Sequence, residues 1–489
     1  MISFIKYQPL DARMKVGLVI LLAFATAFVY VPAAAASDAI KPVINPIHIE
    51  KTDRILVIAP HPDDESLATA GLIRHAVERQ IPVLVVLMNN GDGYKKAVQI
   101  KFRTLNPTPD QFKNLGEIRH LESLTAMKSL GLTDKDVIYL SYPDGGTNTL
   151  LNEAWDCDKL HTGANGSNHS PYSFGYEKNA PYCGENVVKN LEQIIASFMP
   201  SMVFFPDPGD DHHDHWATAA FVKYTLTKMD YAGKQYTYLV HKGRSWPVPW
   251  KYKPDMPMLP PQNLVGYDEK WYELRLSTAD EKLKHAAVGK YVSQKGMMEP
   301  FLESFVRKNE LFAEYPTIKV ETTKRFPKFF STQIMPDIVF RDPPGDSKPY
   351  RYTAGDIAAV GLVYNGEYLW IALQTRKNIS PEIPYGFHLR IFGKNGVSRI
   401  DIKVKGGRIY SEKPAKSSIT YDSIIPFETE KDRIVVQLPA SIFADQTRKF
   451  MLNVDTFNPK TSKRIDRTAW RIFELQQNGL SKGEIKNEK

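Results

Sequence analysis

Cysteine is almost missing from this chain: Cys157 and Cys183 are the two in 489 residues. Neither lies at the end of the N-terminal apolar run, which argues against a lipoprotein anchor. A basic stripe interleaved with aromatics is also missing, and with it the case for a nucleic-acid partner. Net charge is a modest +8 spread along the chain, which reads first as ordinary solubility and only second as suiting an anionic glycan or cell-surface polymer.

The N-terminus is where charge runs out. Lys6, Arg13 and Lys15 precede an uncharged run from Val16 to Ala36 that ends in Pro32-Ala33-Ala34-Ala35-Ala36. A positive segment, an apolar stretch and an A-x-A site read as a secretory signal peptide cut near Ala36. The alternative is an uncleaved anchor, because the run approaches the ~20 residues that span a bilayer. Cleavage removes those three cations and Asp11, moving the charge from +8 to +6. The expectation is an exported protein, periplasmic or secreted, touching membrane only through this segment if it is retained. In an exported chain an even cysteine pair is expected to be a disulfide, here pinning the polar loop from Gly163 to Tyr182.

What the chain does have is a strand followed at once by a charged cluster. Ile55-Leu56-Val57-Ile58-Ala59 has the length and β-branched content of a strand buried on both faces. Pro60 ends it, and His61, Pro62, Asp63, Asp64 and Glu65 follow before an Ala/Leu-rich helical pattern begins. Open α/β sheets hold ligands at such strand ends. Carboxylates gathered this closely repel one another unless a cation or proton neutralises them. About 150 residues later the run Met202–Phe205 leads into Asp210-Asp211-His212-His213-Asp214-His215. His212 and His215 share a face if the first helical turn starts there. Three N/O ligands with room for water are the composition of a catalytic zinc site. The cysteine pair is not needed for it.

These residues resemble the PIG-L/LmbE-like N-acetylglucosaminyl deacetylases, zinc enzymes with a Rossmann-like fold. The family's (A/P)HPDDE strand end is similar to APHPDDE at Ala59 to Glu65, and its HxDH to HHDH at His212 to His215. GEIRHLESLTAMKSLGL from Gly116 and YPDGG at Tyr142 to Gly146 resemble two further family segments. The resemblance covers roughly Lys51 to Phe312. It implies His61, Asp64 and His215 as zinc ligands, with Fe2+ or another divalent ion as a possible substitute. It implies Asp63 as general base and His212 as an imidazolium that stabilises the oxyanion or protonates the leaving amine. Asp214 is expected to fix a histidine tautomer, Glu65 to cap or orient a ligand or to touch a sugar hydroxyl of the substrate, and Arg119 and Asp144 to lie near the substrate. The loop Asn89 to Tyr94 is expected beside the site. His213 is read as outward-facing, and His75, His120, His161, His169, His241 and His388 as ordinary histidines.

Strands and helices alternate after Lys51: strand Val83–Leu87, helix around Leu115–Leu130, strand Val137–Leu140, helix Glu185–Phe198, strand Met202–Phe205, then a helix from Trp216 and strand Tyr236–Val240. The expected fold class is α/β, a Rossmann-like mostly parallel sheet with helices on both faces. Thr278 to Gln294 reads as a last helix, and Phe301 to Tyr315 as an amphipathic segment packed on the same domain. From about Pro327 short alternating runs separated by Asn365-Gly366, Lys394-Asn395-Gly396 and Lys405-Gly406-Gly407 predict an all-β, sandwich-like domain. The expected divisions are a signal peptide at 1–36, a linker at 37–50, a deacetylase domain at 51–325 and the β domain at 326–489. That last domain reads either as a carbohydrate-binding appendage or as a stability module, with Trp370 in its core. The expected activity is removal of acetyl from N-acetylglucosamine-type residues of an extracytoplasmic glycan. Its rivals are a same-fold zinc hydrolase of another amide and a non-catalytic glycan-binding protein.

Overall fold

Strand β2, Ile55–Ala59, is wholly buried because each of its side chains has an apolar layer to enter. Ile55, Val57 and Ala59 face one layer with Leu67 and Leu72 of the Asp64–Glu78 helix. Leu56 and Ile58 face the opposite layer with Leu191 and Phe221 of the helices Gly184–Phe198 and His213–Lys228. The computed structural model describes residues 41–243, 246–267, 269–296, 298–323, 338–344, 347, 353–394, 396–410, 425–443 and 448–476. The apolar run at 16–36 lies outside them.

With β1 as Ile44–Pro46, β3 as Val83–Asn89, β4 as Val137–Tyr142, β5 as Met202–Pro206, β6 as Lys234–Tyr238, β7 as Lys270–Arg275 and β8 as Asn309–Glu314, the sheet order is β1-β7-β8-β6-β5-β2-β3-β4. Strands β4, β3, β2, β5 and β6 are parallel neighbours, and β8 runs antiparallel to β6 and β7. From β2 the chain goes out to β3 and β4, then crosses back to β5 on β2's other side. The carboxyl end of β2 is therefore the switch point of the sheet, where ligands of doubly wound folds bind.

The helix expected from Trp216 starts at His213, the strand expected at Tyr236–Val240 runs Lys234–Tyr238, and the helix expected to Gln294 ends at Val288; two other elements differ more. The long helix starts at Pro109 rather than near Leu115, because Thr108 and Gln111 form a capping box and Pro109 occupies its first turn. The segment from Phe301 is a short helix, Glu299–Glu303, followed by β8, which pairs with β7 over its whole length. β8 is nearly all buried, so alternation gives no hint of it.

The C-terminal part is two facing sheets, one of five strands and one of seven. Val360 is typical of their shared core: it clusters with Ile371 and Val436 from the first sheet and with Phe387, Ile402 and Leu452 from the second. The strand Ile318–Glu321 already belongs to the second sheet, pairing in parallel with Arg471–Gln476. Trp370 is buried at 7 % exposure and Trp470 at 3 %. The outer face of the seven-stranded sheet meets the His213–Lys228 helix: Trp216 Nε1 donates to Thr468 O at 3.2 Å, Arg467 lies 4.0 Å over the Trp216 ring, and Phe392 packs on Tyr224 at 5.5 Å. No exposed large aromatic of these sheets is found among the described residues.

Candidate active site

Five parallel strand ends deliver the site. His61 to Asp64 follow β2, Gly91 to Gly93 follow β3, Asp144 follows β4, Asp210 to His215 follow β5 and His241 follows β6. Asp63 takes φ 136° and ψ −34°, a backbone conformation that side chains rarely adopt and that proteins hold mainly where function requires it.

Three side-chain atoms converge. His61 Nδ1 lies 3.1 Å from Asp64 Oδ2, His215 Nε2 lies 3.1 Å from the same oxygen, and the two nitrogens are 3.2 Å apart. A tetrahedral zinc with ligand bonds near 2.0–2.1 Å spaces its donors by roughly 3.3 Å, so the triangle fits that ion. The other ring nitrogens face carboxylates. His61 Nε2 is 3.2 Å from Asp144 Oδ1 and 3.3 Å from Asp214 Oδ2; His215 Nδ1 is 3.2 Å from Asp210 Oδ2. A proton held on each of those nitrogens leaves His61 Nδ1 and His215 Nε2 as lone pairs aimed into the triangle.

The electrostatics agree with a cation. Burial alone would lower the His215 pKa, yet Asp210 and Asp64 bring it to about 9. His61 is likewise driven well above its ordinary value, as Asp144, Asp214 and Asp64 outweigh its burial. The buried carboxylates demand positive charge, from protons or from a metal. His61, His212 and His215 form one metal-capable group, and Asp64, His215 and His241 another.

Asp63 sits at the cleft beside this triangle. Burial pushes it up to about 7, opposed by the Arg119 guanidinium, whose Nη2 reaches Asp63 Oδ2 at 3.2 Å. Arg119 also donates to Pro62 O at 2.5 Å and Gly91 O at 3.1 Å, and so ties the β2 and β3 loops together. Gly91 has φ +63°, and a Cβ there would collide with that guanidinium. Asp144 turns one oxygen to His61 and accepts from Gly93 N with the other at 2.8 Å.

His212 caps the His213–Lys228 helix, its Nδ1 accepting from Asp214 N at 3.3 Å. That leaves its proton on Nε2. Burial, and then the neighbouring His61, His215 and His241, hold its pKa well below the ordinary value. With Nδ1 accepting, its ring offers the cleft an Nε2–H donor. Asp214 accepts from Gly145 N at 2.7 Å and Thr147 N at 3.2 Å, fixing the YPDGG loop as well as facing His61.

Glu65 lies on the orienting side of its two expected roles. Its carboxylate accepts from Asp63 N at 2.9 Å, Ser123 Oγ at 2.8 Å and Tyr291 Oη at 2.6 Å. It is fully buried and braces the Asp63 turn from behind, away from the cleft lining. Two contributors escaped the sequence reading. Asp210 orients His215, and its carboxylate also accepts from His212 N, Val240 N and His241 N at 2.8, 3.0 and 2.9 Å. His241 is 4.8 Å from His215 and 5.2 Å from His212 between ring centres, in the cleft wall. The signal for it was its place just after a parallel strand. Cys157 and Cys183 are bonded, and the loop they enclose reaches the site through Asp92, which accepts from Tyr172 Oη at 2.7 Å and Asn165 Nδ2 at 2.8 Å.

The cleft over the triangle has a volume of about 350 Å³ and is lined by polar groups on one side and by Met298, Phe301 and Leu302 on the other. That is the make-up of a small-molecule site, apolar walls with a few convergent polar groups.

The family model described as PIG-L, GlcNAc-PI de-N-acetylase, matches residues 56–226. A 1D-myo-inositol 2-acetamido-2-deoxy-alpha-D-glucopyranoside deacetylase from Kineococcus radiotolerans is 27% identical over 171 residues, which are 34% of this chain and 43% of that protein. The chain thus spans less than half the length of this relative. Among solved structures, the N,N'-diacetylchitobiose deacetylase from Pyrococcus horikoshii covers 54% of this chain and 84% of its own at 20% identity and a TM-score of 0.33. GalB, the 4-carboxy-2-hydroxymuconate hydratase from Pseudomonas putida KT2440, covers 56% and 100% at 14% identity and a TM-score of 0.35. Residues 56–226 are a PIG-L domain of the GlcNAc-PI de-N-acetylase family.

Proposed function

We propose that the protein is a metal-dependent amide hydrolase that removes acetyl from N-acetylglucosamine-type residues of an extracytoplasmic glycan. One observation carries the reading: two imidazoles and a carboxylate meet within 3.2 Å while Asp144, Asp214 and Asp210 face the far nitrogens of both rings. His61, Asp64 and His215 would hold zinc, and iron or another divalent ion would suit the same N/O set. When bound, the ion supplies a Lewis acid and makes a water acidic near neutral pH.

The chain's own residues do the rest. Asp63, held by Arg119 at the cleft, takes the proton of the attacking water. His212 donates its Nε2–H to the oxygen that gains charge as the amide carbonyl becomes tetrahedral. Asp63 then returns its proton to the leaving nitrogen, giving acetate and a free amine. Asp144 and Asp214 keep the His61 ring in one tautomer throughout. Location is inferred from the N-terminal run alone, which favours a sugar outside the cytoplasm. The test is acetate release from a panel of N-acetylated amino sugars, acetylated peptides and simple acyl amides. Turnover confined to the sugars supports the reading, and turnover of the peptides or acyl amides alone would move the enzyme to another substrate class.

A further inference from the structure

The connection from β6 to β7 is long, and among its described residues it holds no strand or α-helix between Tyr238 and Lys270. Long connections of this kind in compact domains usually have a function. Its sequence from Trp246 to Pro261, WPVPWKYKPDMPMLPP, contains six prolines and three large aromatics. Proline fixes the backbone before any ligand arrives. The loop is also pinned from below: Trp246 Nε1 donates to Leu259 O at 2.8 Å, Arg307 Nη2 to Pro249 O at 2.8 Å, and Asn309 exchanges bonds of 2.6 and 3.1 Å with Met258.

On this rigid base Trp250 is held but not covered. Its Nε1 donates to Trp246 O at 3.3 Å and its ring meets Phe301 edge-on at 5.2 Å, yet it is 42 % exposed. Phe301 lines the cleft and stacks on His241 at 5.4 Å with an interplanar angle of 12°. An unbroken row of rings, His215, His241, Phe301 and Trp250, thus leads from the metal triangle to the surface. A half-exposed indole held in place beside a cleft is a surface that a ligand can cover. Indole offers an apolar face that can cover the C–H face of a sugar ring.

Resting on the deacetylase reading, we propose that Trp250 is a sugar platform: a saccharide unit next to the one whose amide enters the cleft stacks on this indole. The preferred substrate is then an oligomer rather than a monosaccharide. This places chain-length selection in the β6–β7 loop and not in the C-terminal sheets.

Calorimetry with N-acetylglucosamine and its tetramer, on zinc-loaded Asp63→Asn protein whose turnover is cut roughly 10²–10⁴-fold, tests this directly. The tetramer should bind roughly tenfold or more tighter than the monomer. Trp250→Ala should collapse that ratio toward one, and Trp250→Phe, which keeps a ring, should restore most of it. An unchanged ratio in Trp250→Ala, no tetramer advantage in the parent, or no binding of either sugar overturns the proposal. If the intact enzyme releases no acetate while Trp250→Ala still abolishes the tetramer's advantage, the deacetylase reading fails and the platform stands.

Discussion

Asp210 makes the sharpest prediction because every bond it accepts is accounted for. One oxygen takes His212 N at 2.8 Å; the other takes Val240 N and His241 N at 3.0 and 2.9 Å and faces His215 Nδ1 at 3.2 Å. Asp210→Asn keeps the shape but leaves one oxygen where there were two. With the amide oxygen toward Val240, His241 and His215, the new NH2 opposes His212 N–H at the helix cap. With the amide reversed, it opposes two backbone donors and the ring that needs an acceptor. The first arrangement costs less, about 1–3 kcal/mol for one buried donor left without a partner. It also removes the negative charge that makes His215 basic. The ring then keeps an acceptor but loses a charged one, and mutation of such a partner lowers metal affinity roughly 10–100-fold, or about 1.4–2.7 kcal/mol. Competition of the protein with a chromophoric chelator for zinc measures this without reference to activity. Asp211→Asn is the matched control, since Asp211 pairs with Lys242 and Gly243 N instead, and its zinc affinity should stay within about twofold. Folded Asp210→Asn protein that binds zinc as tightly as the parent would refute the claim that this carboxylate's charge strengthens His215 as a ligand.

Three further outcomes follow from particular residues. Asp63→Asn should retain zinc and lose roughly 10²–10⁴-fold in kcat, read from acetate release beside metal content. His388 is held by Asp401 Oδ1 at 2.6 Å and Asp455 Oδ1 at 2.9 Å; burial alone would lower its pKa, but those carboxylates raise it from 6.5 to about 9. Its contribution, about 3 kcal/mol, is complete below pH 6.5 and is lost as pH rises through about 9; urea midpoints across that range should fall in the parent and flatten in His388→Gln. The Cys157–Cys183 bond closes a loop with a sequence separation of 26, so replacing both with serine should cost about 3 kcal/mol in denaturant unfolding.

The parallel core of the fold was legible because β2, β3 and β5 are short apolar runs ended by Pro60, Asn89 and Pro206 with helical patterns between them. β8 was not, since Asn309 to Ala313 are buried without alternation and resemble a piece of buried helix. Clustering of His61, Asp64 and His215 could be read from two strand-end motifs, as could the nearness of Asp63 and Asp144. Asp214 as a histidine's partner could be expected as well, but Asp210 could not, because it meets His215 only after the helix has wound, and nor could His241, which arrives by way of a different strand. For Glu65 the motif left orienting a ligand and touching a sugar both open, and only the first helical turn shows its side chain rotated toward Ser123, Tyr291 and Asp63 N. The C-terminal sheets show alternation but not what lies against them. Their outer face touches two helices, with Arg399 Nη2 on Leu151 O at 3.3 Å in the Thr147–Asn152 helix and Arg467 over Trp216 in the helix that begins at the site.

Acetate release from N-acetylglucosamine oligomers, followed through chelation and zinc return, tests the central claim most directly. The parent protein should fall to background in chelator and recover fully at about one equivalent of zinc, while His215→Ala should recover nothing. Release that persists undiminished in chelator, or that survives in His215→Ala, would contradict a metal-dependent hydrolase built on His61, Asp64 and His215.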